Sequence, residues 1–310
     1  MIDKETLRKV VKLQREELSL FELGVHREEC DKIDMNVPFA LILSGIRRCG
    51  KSTLLRQLME KTKGYYYFNF EDSRATDFEI NDFEKLDEIF HEEYKDQNYY
   101  FFDEIQNIPK WEIFVRRLVD IKKHVIITGS NASLLSKELG TKLTGRHLTH
   151  EIYPFSFKEF ININKDKIDI KSFERYLVDG GVPEYLKLKR PDILQELLKD
   201  IIARDITARY KIRNQKALND LGIYLLTNIG KQFTYNNLKK SFKLGSVNSV
   251  ISFISYFEDT YMIFTVPRFD YSLKKMLVSP KKVYSVDNGL SIKNSSSFFD
   301  DRGRLLENAV

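Results

Sequence analysis

Apolar residues recur at helical spacing over residues 3 to 20, where Leu7, Val10, Val11 and Leu18 stand among alternating charges. That spacing predicts an amphipathic helix. The pattern then changes. VPFALILS (37–44) is a short, nearly continuous apolar run, as expected of a strand buried on both faces. Four more strand-like runs follow: YYYFNFE (65–71), NYYFFDE (98–104), HVIITGS (124–130) and LTHEIYPF (148–155). Helical segments separate most of them, notably around 82–94 and 111–122. Strands alternating with helices predict a parallel sheet covered on both faces. NINKDKID offers a polar break just past Phe160, so the first domain is expected to span 1–160.

The second half has a different character. Residues 171 to 213 read as helical apart from DGGVPEY (179–185), where paired glycines and a proline interrupt the periodicity. A helical linker or lid over 161–215 is the expectation. Residues 217–229, 234–243 and 246–262 then read as three helices. IFTVPRF and KKVYSVD follow as two β-rich runs bracketing a turn that holds Lys274 and Lys275. Three helices and a two-stranded ribbon are the winged-helix layout, which is expected over 216–290. No internal repeat or low-complexity tract interrupts the chain.

Composition bounds the picture. With 310 residues, 42% hydrophobic and 31% charged, the chain suits a globular protein of two or three units with a sizeable core. The net charge of +5 is unevenly spread, because residues 201–290 carry 14 Lys and Arg against 6 Asp and Glu. A basic segment on an acidic body fits an anionic partner, and equally a solvated lysine-rich surface. Only Cys30 and Cys49 carry thiols, and no apolar run resembles a signal peptide or membrane span. The expectation is a cytoplasmic protein with reduced thiols and no membrane partner.

The first apolar strand leads into SGIRRCGKSTLL (44–55), and KSTLLRQLMEKTK continues at helical spacing. Strand, glycine-rich loop and helix are the context in which a phosphate loop works: glycines let backbone N–H groups face a phosphate chain, and the helix N-terminus adds its positive end. Gly45, Ile46, Arg47, Arg48, Cys49, Gly50, Lys51, Ser52 and Thr53 are therefore candidate nucleotide-binding residues. Lys51 is expected to reach the outer phosphates and Ser52 to ligate Mg²⁺. Arg47 and Arg48 are expected at the loop's outer edge, one facing solvent or a neighbouring subunit, with neutralisation of charge on a transferred phosphoryl group as the alternative. Cys49 reads as a small residue filling the loop, with an oxidation-sensitive thiol as the alternative.

A second constellation bears on hydrolysis. In YYFFDEIQ an apolar strand ends in Asp103 and Glu104, about fifty residues after the loop. The first acid suits the Mg²⁺ shell and the second suits polarising an attacking water. Ligands bind at the C-terminal edge of such sheets, which sets this pair apart from two solvated surface acids. The next strand closes with Thr128, Gly129, Ser130 and Asn131. Ser130 and Asn131 are sensor candidates, with N-capping of ASLLSKEL the competing use.

GIRRCGKSTLLRQL, FFDEIQNIPKWE, ITGSNASLL, LTGRHLTHEIYPFSFKEF, DGGVPEYL and LLENAV occur in that order from about residue 35 to the last residue. In these segments the chain resembles a family of archaeal and bacterial AAA+-type ATPases. The resemblance implies an α/β P-loop NTPase core, AAA+-like, with its parallel sheet sandwiched by helices and a strand inserted between the two Walker strands. A winged-helix module is implied to follow. By position, Gly45, Gly50, Lys51 and Ser52 match the Walker A residues, Asp103 and Glu104 the Walker B pair, and Ser130 the sensor segment. Arg146 falls where the family usually keeps an arginine, either a finger acting on nucleotide in the same or a neighbouring chain, or a structural ion pair. The resemblance also favours adenine, hence ATP. In the family the closing segment leads into a nuclease-like domain, so 291–310 is expected to be the start of a domain the chain lacks, with Glu307 at its edge.

The leading expectation is a Mg²⁺-dependent ATPase whose nucleotide state repositions the winged-helix half. The alternative is a nucleotide-gated switch for DNA or protein with slow hydrolysis. The candidate third helix, SVNSVISFISYFED, has no Lys or Arg. DNA contact is therefore expected through Lys239, Lys240, Lys243, Lys274 and Lys275, and a protein partner or self-association is the other possibility.

Overall fold

The computed structural model describes residues 1–130, 143, 145–295 and 301–310, grouped into two compact units. The first unit comprises Met1–Gly45 and Gly50–Ile152. Five strands, β1 (Ala40–Ser44), β2 (Tyr66–Asn69), β3 (Tyr99–Asp103), β4 (His124–Gly129) and β5 (His147–Glu151), pair in the order β2-β3-β4-β1-β5. Every pairing is parallel. β4 thus separates the two strands that carry the glycine loop and the carboxylate pair.

The apolar runs are apolar because helices cover both faces of the central strands. All of β1 is buried, and β3 and β4 are buried apart from their first residues. β5, at the edge, shows a mostly exposed HLTHE pattern. The strand ends before Pro154, which has no N–H to donate to a ladder. An aromatic cluster dominates the β2 side, with Tyr66 stacked on Phe90 and Phe83 on Phe114. Helix α1 (Lys4–Leu20) inserts Leu7, Val10 and Val11 into this core. Its buried Gln14 bonds both ways with the backbone of Asn69 at the end of the edge strand, satisfying an N–H and a C=O that pairing leaves open.

The second unit comprises Ile46–Cys49 and Tyr153–Val310. It resumes at Tyr153, ahead of the polar break NINKDKID, because Phe155 is already bonded to Gly181 and Tyr153 packs on Phe264. Helices Phe157–Asn164 and Ile170–Asp179 each open on a reciprocal capping box, Ser156 with Glu159 and Asp169 with Ser172. The DGG turn between 179 and 181 is close-packed: a methyl on Gly181 would lie 2.3 Å from the Phe155 carbonyl oxygen. Asp287 accepts from the N–H groups of Gly181 and Leu290, tying this turn to helix Asn288–Asn294.

Residues 215 to 285 run helix Gln215–Thr227, strand β6 (Gln232–Phe233), helix Tyr235–Ser241, helix Val247–Asp259, strand β7 (Ile263–Pro267), helix Leu273–Val278 and strand β8 (Lys281–Ser285). The three strands form an antiparallel sheet in the order β6-β8-β7. Two points differ from the sequence reading. A third strand joins the ribbon, too short at two residues to leave a periodic signal. Lys274 and Lys275 lie on a short helix, not a turn. The closing helix Arg302–Ala309 also belongs to this unit: Leu305 is buried, Asn308 bonds the backbone of Ser285, and Glu307 accepts from Lys282 and Tyr284. Among the described residues, no helix is long and apolar enough to cross a membrane.

Candidate functional site

Three parallel strands end at one edge of the sheet, and each is followed by a residue the sequence singled out. β1 runs into Gly45, β3 into Glu104 and β4 into Ser130. Because β4 lies between β1 and β3, the loop and the carboxylates flank one cleft-forming strand, the position where open α/β sheets bind ligands.

Gly50 takes φ +98°, a left-handed conformation that favours glycine, and this kink starts the helix Lys51–Met59. Lys51 is almost fully buried, and its Nζ donates to the Gly45 carbonyl at 3.0 Å. The ammonium therefore closes the base of the loop. Ser52 Oγ donates to Asp103 Oδ1 at 3.1 Å, so the hydroxyl and carboxylate proposed for one metal stand together. Two hard oxygen donors beside a glycine cradle fit Mg²⁺, which keeps much of its water shell and takes few protein ligands. Thr53 is half-buried, with its methyl toward Gly24.

The carboxylate pair sits in a low-dielectric site. Burial pushes the Asp103 carboxyl above its ordinary range, countered by hydrogen bonds from Thr128 and Ser52 and by the charges of Lys51 and Arg56. Burial also raises Glu104, opposed by Lys51 and reinforced by the neighbouring Asp103 charge. Such elevation suits a group that must take a proton near neutral pH. Glu104 adopts a left-handed backbone, φ +52°, which turns its side chain out of the strand's alternation. There it accepts a hydrogen bond from Gln106 Nε2.

Thr128, passed over in favour of its neighbours, is the organiser of the pair. Its buried hydroxyl accepts from the Glu104 N–H at 2.9 Å and donates to Asp103 Oδ1. Its signal was only its place at a strand end. Gln106 and Arg56 were missed likewise; Arg56 Nε bonds the Ser52 carbonyl at 3.2 Å. Tyr67 on β2 is raised by burial and by the Asp103 charge, which marks it as facing the same carboxylate. Ser130 is buried beside these residues, while Asn131 lies outside the described residues.

Arg146 is placed elsewhere. Its carbonyl accepts from Ala40 N at the start of β1, and its guanidinium pairs with Asp120. At about 3.3 Å per residue, the strand separates it from the loop edge by roughly 13 Å. The Arg146–Asp120 contact has the geometry of the structural ion pair.

The middle of the loop, Ile46–Cys49, groups with the second unit. Arg47 donates to Asp205 in two bonds, Nε to Oδ2 at 3.1 Å and Nη2 to Oδ1 at 2.9 Å. Arg48, at φ +63°, pairs with Glu184 and Asp200. Arg47 is partly buried and Arg48 is exposed, and the carboxylates that hold them lie more than a hundred residues away in sequence. Cys49 is fully buried and forms no disulfide. Lys240, Lys243, Lys274 and Lys275 are exposed and Lys239 is half-buried.

With this geometry in place, comparison with known proteins is informative. The AAA domain family matches residues 38–161, and a domain of unknown function matches residues 170–296. Over 100% of its length the chain is 34% identical to an uncharacterized protein of Methanocaldococcus jannaschii, 74% of which it spans. It is 30% identical to an uncharacterized protein of Haemophilus influenzae over 81% of this chain and 68% of that one. A solved structure titled as the replication initiator DnaA bound to AMPPCP and single-stranded DNA aligns with TM-score 0.38 and 14% identity, covering 78% of this chain and 91% of that chain.

Proposed function

The chain belongs to the family of these archaeal and bacterial AAA-domain proteins, and from that premise we propose that it is a Mg²⁺-dependent ATPase. The observation that carries this reading is the carboxylate pair at the end of β3, with Asp103 bonded to Ser52 beside Lys51 and Glu104 next to it in a left-handed backbone conformation. Gly45, Gly50 and the N–H groups opening the helix at Lys51 hold the phosphates, and Lys51 exchanges its bond to the Gly45 carbonyl for the outer phosphates. Ser52 and Asp103 would hold Mg²⁺, which when bound would supply positive charge against the phosphate oxygens. Glu104 orients and polarises the attacking water, and Ser130 lines the same edge. Arg146 acts on nucleotide only as a finger toward a neighbouring chain.

Coupling to the second half is part of the proposal. Residues 216–290 are read as a winged-helix module, which the order of helices and strands described above supports. The loop arginines support gating: Arg47 and Arg48 are held by carboxylates of the second unit, so phosphate binding at the loop bears on that unit's helices. The alternative is a slow-hydrolysing switch that binds DNA through Lys239, Lys240, Lys243, Lys274 and Lys275, or binds protein. The exposed lysines beside a helix Val247–Asp259 without basic residues favour phosphate contact over base reading.

Steady-state ATP hydrolysis by wild type and Glu104→Gln, with and without duplex DNA, tests both. The expected result is a loss of about 10²–10⁴-fold in kcat with ATP affinity kept. Equal turnover in the two proteins sinks the assignment of Glu104. Stimulation of wild type by DNA connects the two halves; its absence favours a protein partner.

A further inference from the structure

One stretch of the second unit leaves its aromatic side chains in water. Strand β7 ends at Pro267 and β8 begins at Lys281. Residues 268–280 connect them as an arm closed at its base, where the Arg268 N–H donates to the Pro280 carbonyl at 3.4 Å. Tyr271 is 98% exposed and Phe269 72%, the two most exposed aromatic side chains among the described residues. Val266 and Leu273 are exposed as well, so four of eight consecutive positions carry large apolar groups that the core does not cover. Single exposed apolar residues are ordinary on a protein surface, whereas a cluster of this kind marks a docking surface.

The arm is held in shape without being buried. Phe269 and Tyr271 meet edge to face, with ring centroids 5.3 Å apart and planes at 75°. Asp270 Oδ1 accepts from the Ser272 N–H at 2.8 Å, which fixes the backbone on either side of Tyr271. The remaining charges have one sign. Arg268, Lys274 and Lys275 are exposed, and none of them pairs with a carboxylate among the described residues. Asp270 is the one acid between 268 and 280.

Flat rings flanked by unpaired cations fit a ligand that has both flat faces and regularly spaced negative charge. Unpaired bases on a phosphate backbone have both, because every base offers a π-face and Lys and Arg follow the backbone. A duplex hides those faces in its own stack. An acidic peptide offers charge without flat faces, and a lipid surface offers no planar partner. Of the side chains beside the rings, Leu273 is apolar and Asp270 is turned back to Ser272, which leaves little to reward a ribose 2′-hydroxyl. We propose that the 268–280 arm is a stacking platform for single-stranded DNA, with Phe269 and Tyr271 taking bases and Arg268, Lys274 and Lys275 taking phosphates. The inference rests on the reading that this half contacts DNA, and it names the form of DNA.

Anisotropy of a labelled oligothymidylate and of a labelled duplex, titrated with the full chain, tests it. Tyr271→Ala and Phe269→Ala should each weaken oligothymidylate binding about 5- to 150-fold, the loss of one stacked base, and leave duplex affinity unchanged. Tyr271→Phe keeps the ring and should keep the affinity. Replacing Lys274 and Lys275 together by alanine should lower the salt slope on oligothymidylate by about 1.4, at about 0.7 per phosphate. The substituted side chains are exposed, so all variants should melt with wild type, which guards against misfolding as the cause. Oligothymidylate affinity that withstands both ring deletions overturns the inference, while the DNA reading stands if the lysine variant still weakens duplex binding. Equal losses on duplex and single strand overturn the stacking role, and tighter binding of oligouridylate overturns the choice of DNA. Wild type that binds neither duplex nor oligothymidylate removes the DNA reading itself, and the inference with it.

Discussion

Replacing Arg47 with alanine deletes a guanidinium that holds the Asp205 carboxylate in two bonds, at 2.9 and 3.1 Å. The side chains are 19% and 8% exposed, so water reaches neither freely. The loss is not that of a surface ion pair, which is worth under about 1 kcal/mol. It leaves Asp205 buried without its counter-ion, and breaking a buried pair from one side costs about 3–5 kcal/mol. For a unit of this size each kcal/mol corresponds to about 2–4 °C, so the melting transition should fall by roughly 6–20 °C. Calorimetry at low and at high salt measures it, and the drop should persist at high salt because buried pairs are little screened. The double variant Arg47→Met with Asp205→Leu removes both charges and should recover most of the loss, since apolar replacement of a buried pair is often neutral. A fall of less than 2 °C in Arg47→Ala, or a double variant no better than the single one, would refute the claim that this pair is a desolvated tie.

Three further outcomes follow from the second unit. Gly181→Ala should destabilise by several kcal/mol, because its methyl would lie 2.3 Å from a backbone oxygen that cannot move aside; a melting temperature equal to wild type would contradict the close approach. Burial raises Asp287 from 3.8 to about 6, despite its bonds from Gly181 and Leu290. A carboxyl elevated in the folded state contributes stability that is fully present below pH 3.8 and lost as pH rises through 6, about 3 kcal/mol in all. The stability gap between wild type and Asp287→Asn should therefore shift against wild type over that window, and denaturant titrations showing a pH-independent gap would refute it. Lys243→Ala should lower the salt slope of duplex binding by about one if that lysine neutralises a phosphate; an unchanged slope excludes it.

Much of the first unit was legible because its signals are local. A strand buried on both faces writes itself as a run such as ALILS, and a phosphate loop needs its glycines, lysine and serine within a few positions. The same holds for Asp103 and Glu104, adjacent residues at a strand end. What stayed hidden has no local signature. Thr128 and Gln106 read as an ordinary strand end and an ordinary turn until β4 is set beside β3. Arg146 could be a finger or a brace until pairing of β5 with β1 put it at the far edge of the sheet. The partners of Arg47 and Arg48 were hidden because Asp205, Glu184 and Asp200 are distant in the chain.

The sequence by itself determined which residues make strands and helices and which carry phosphate-loop and carboxylate chemistry, since periodicity and motif spacing act over a few residues. Only the tertiary structure decided which of those groups meet, because a charge or hydroxyl gains its partner, and its altered pKa, from strand order and packing between segments the chain keeps far apart.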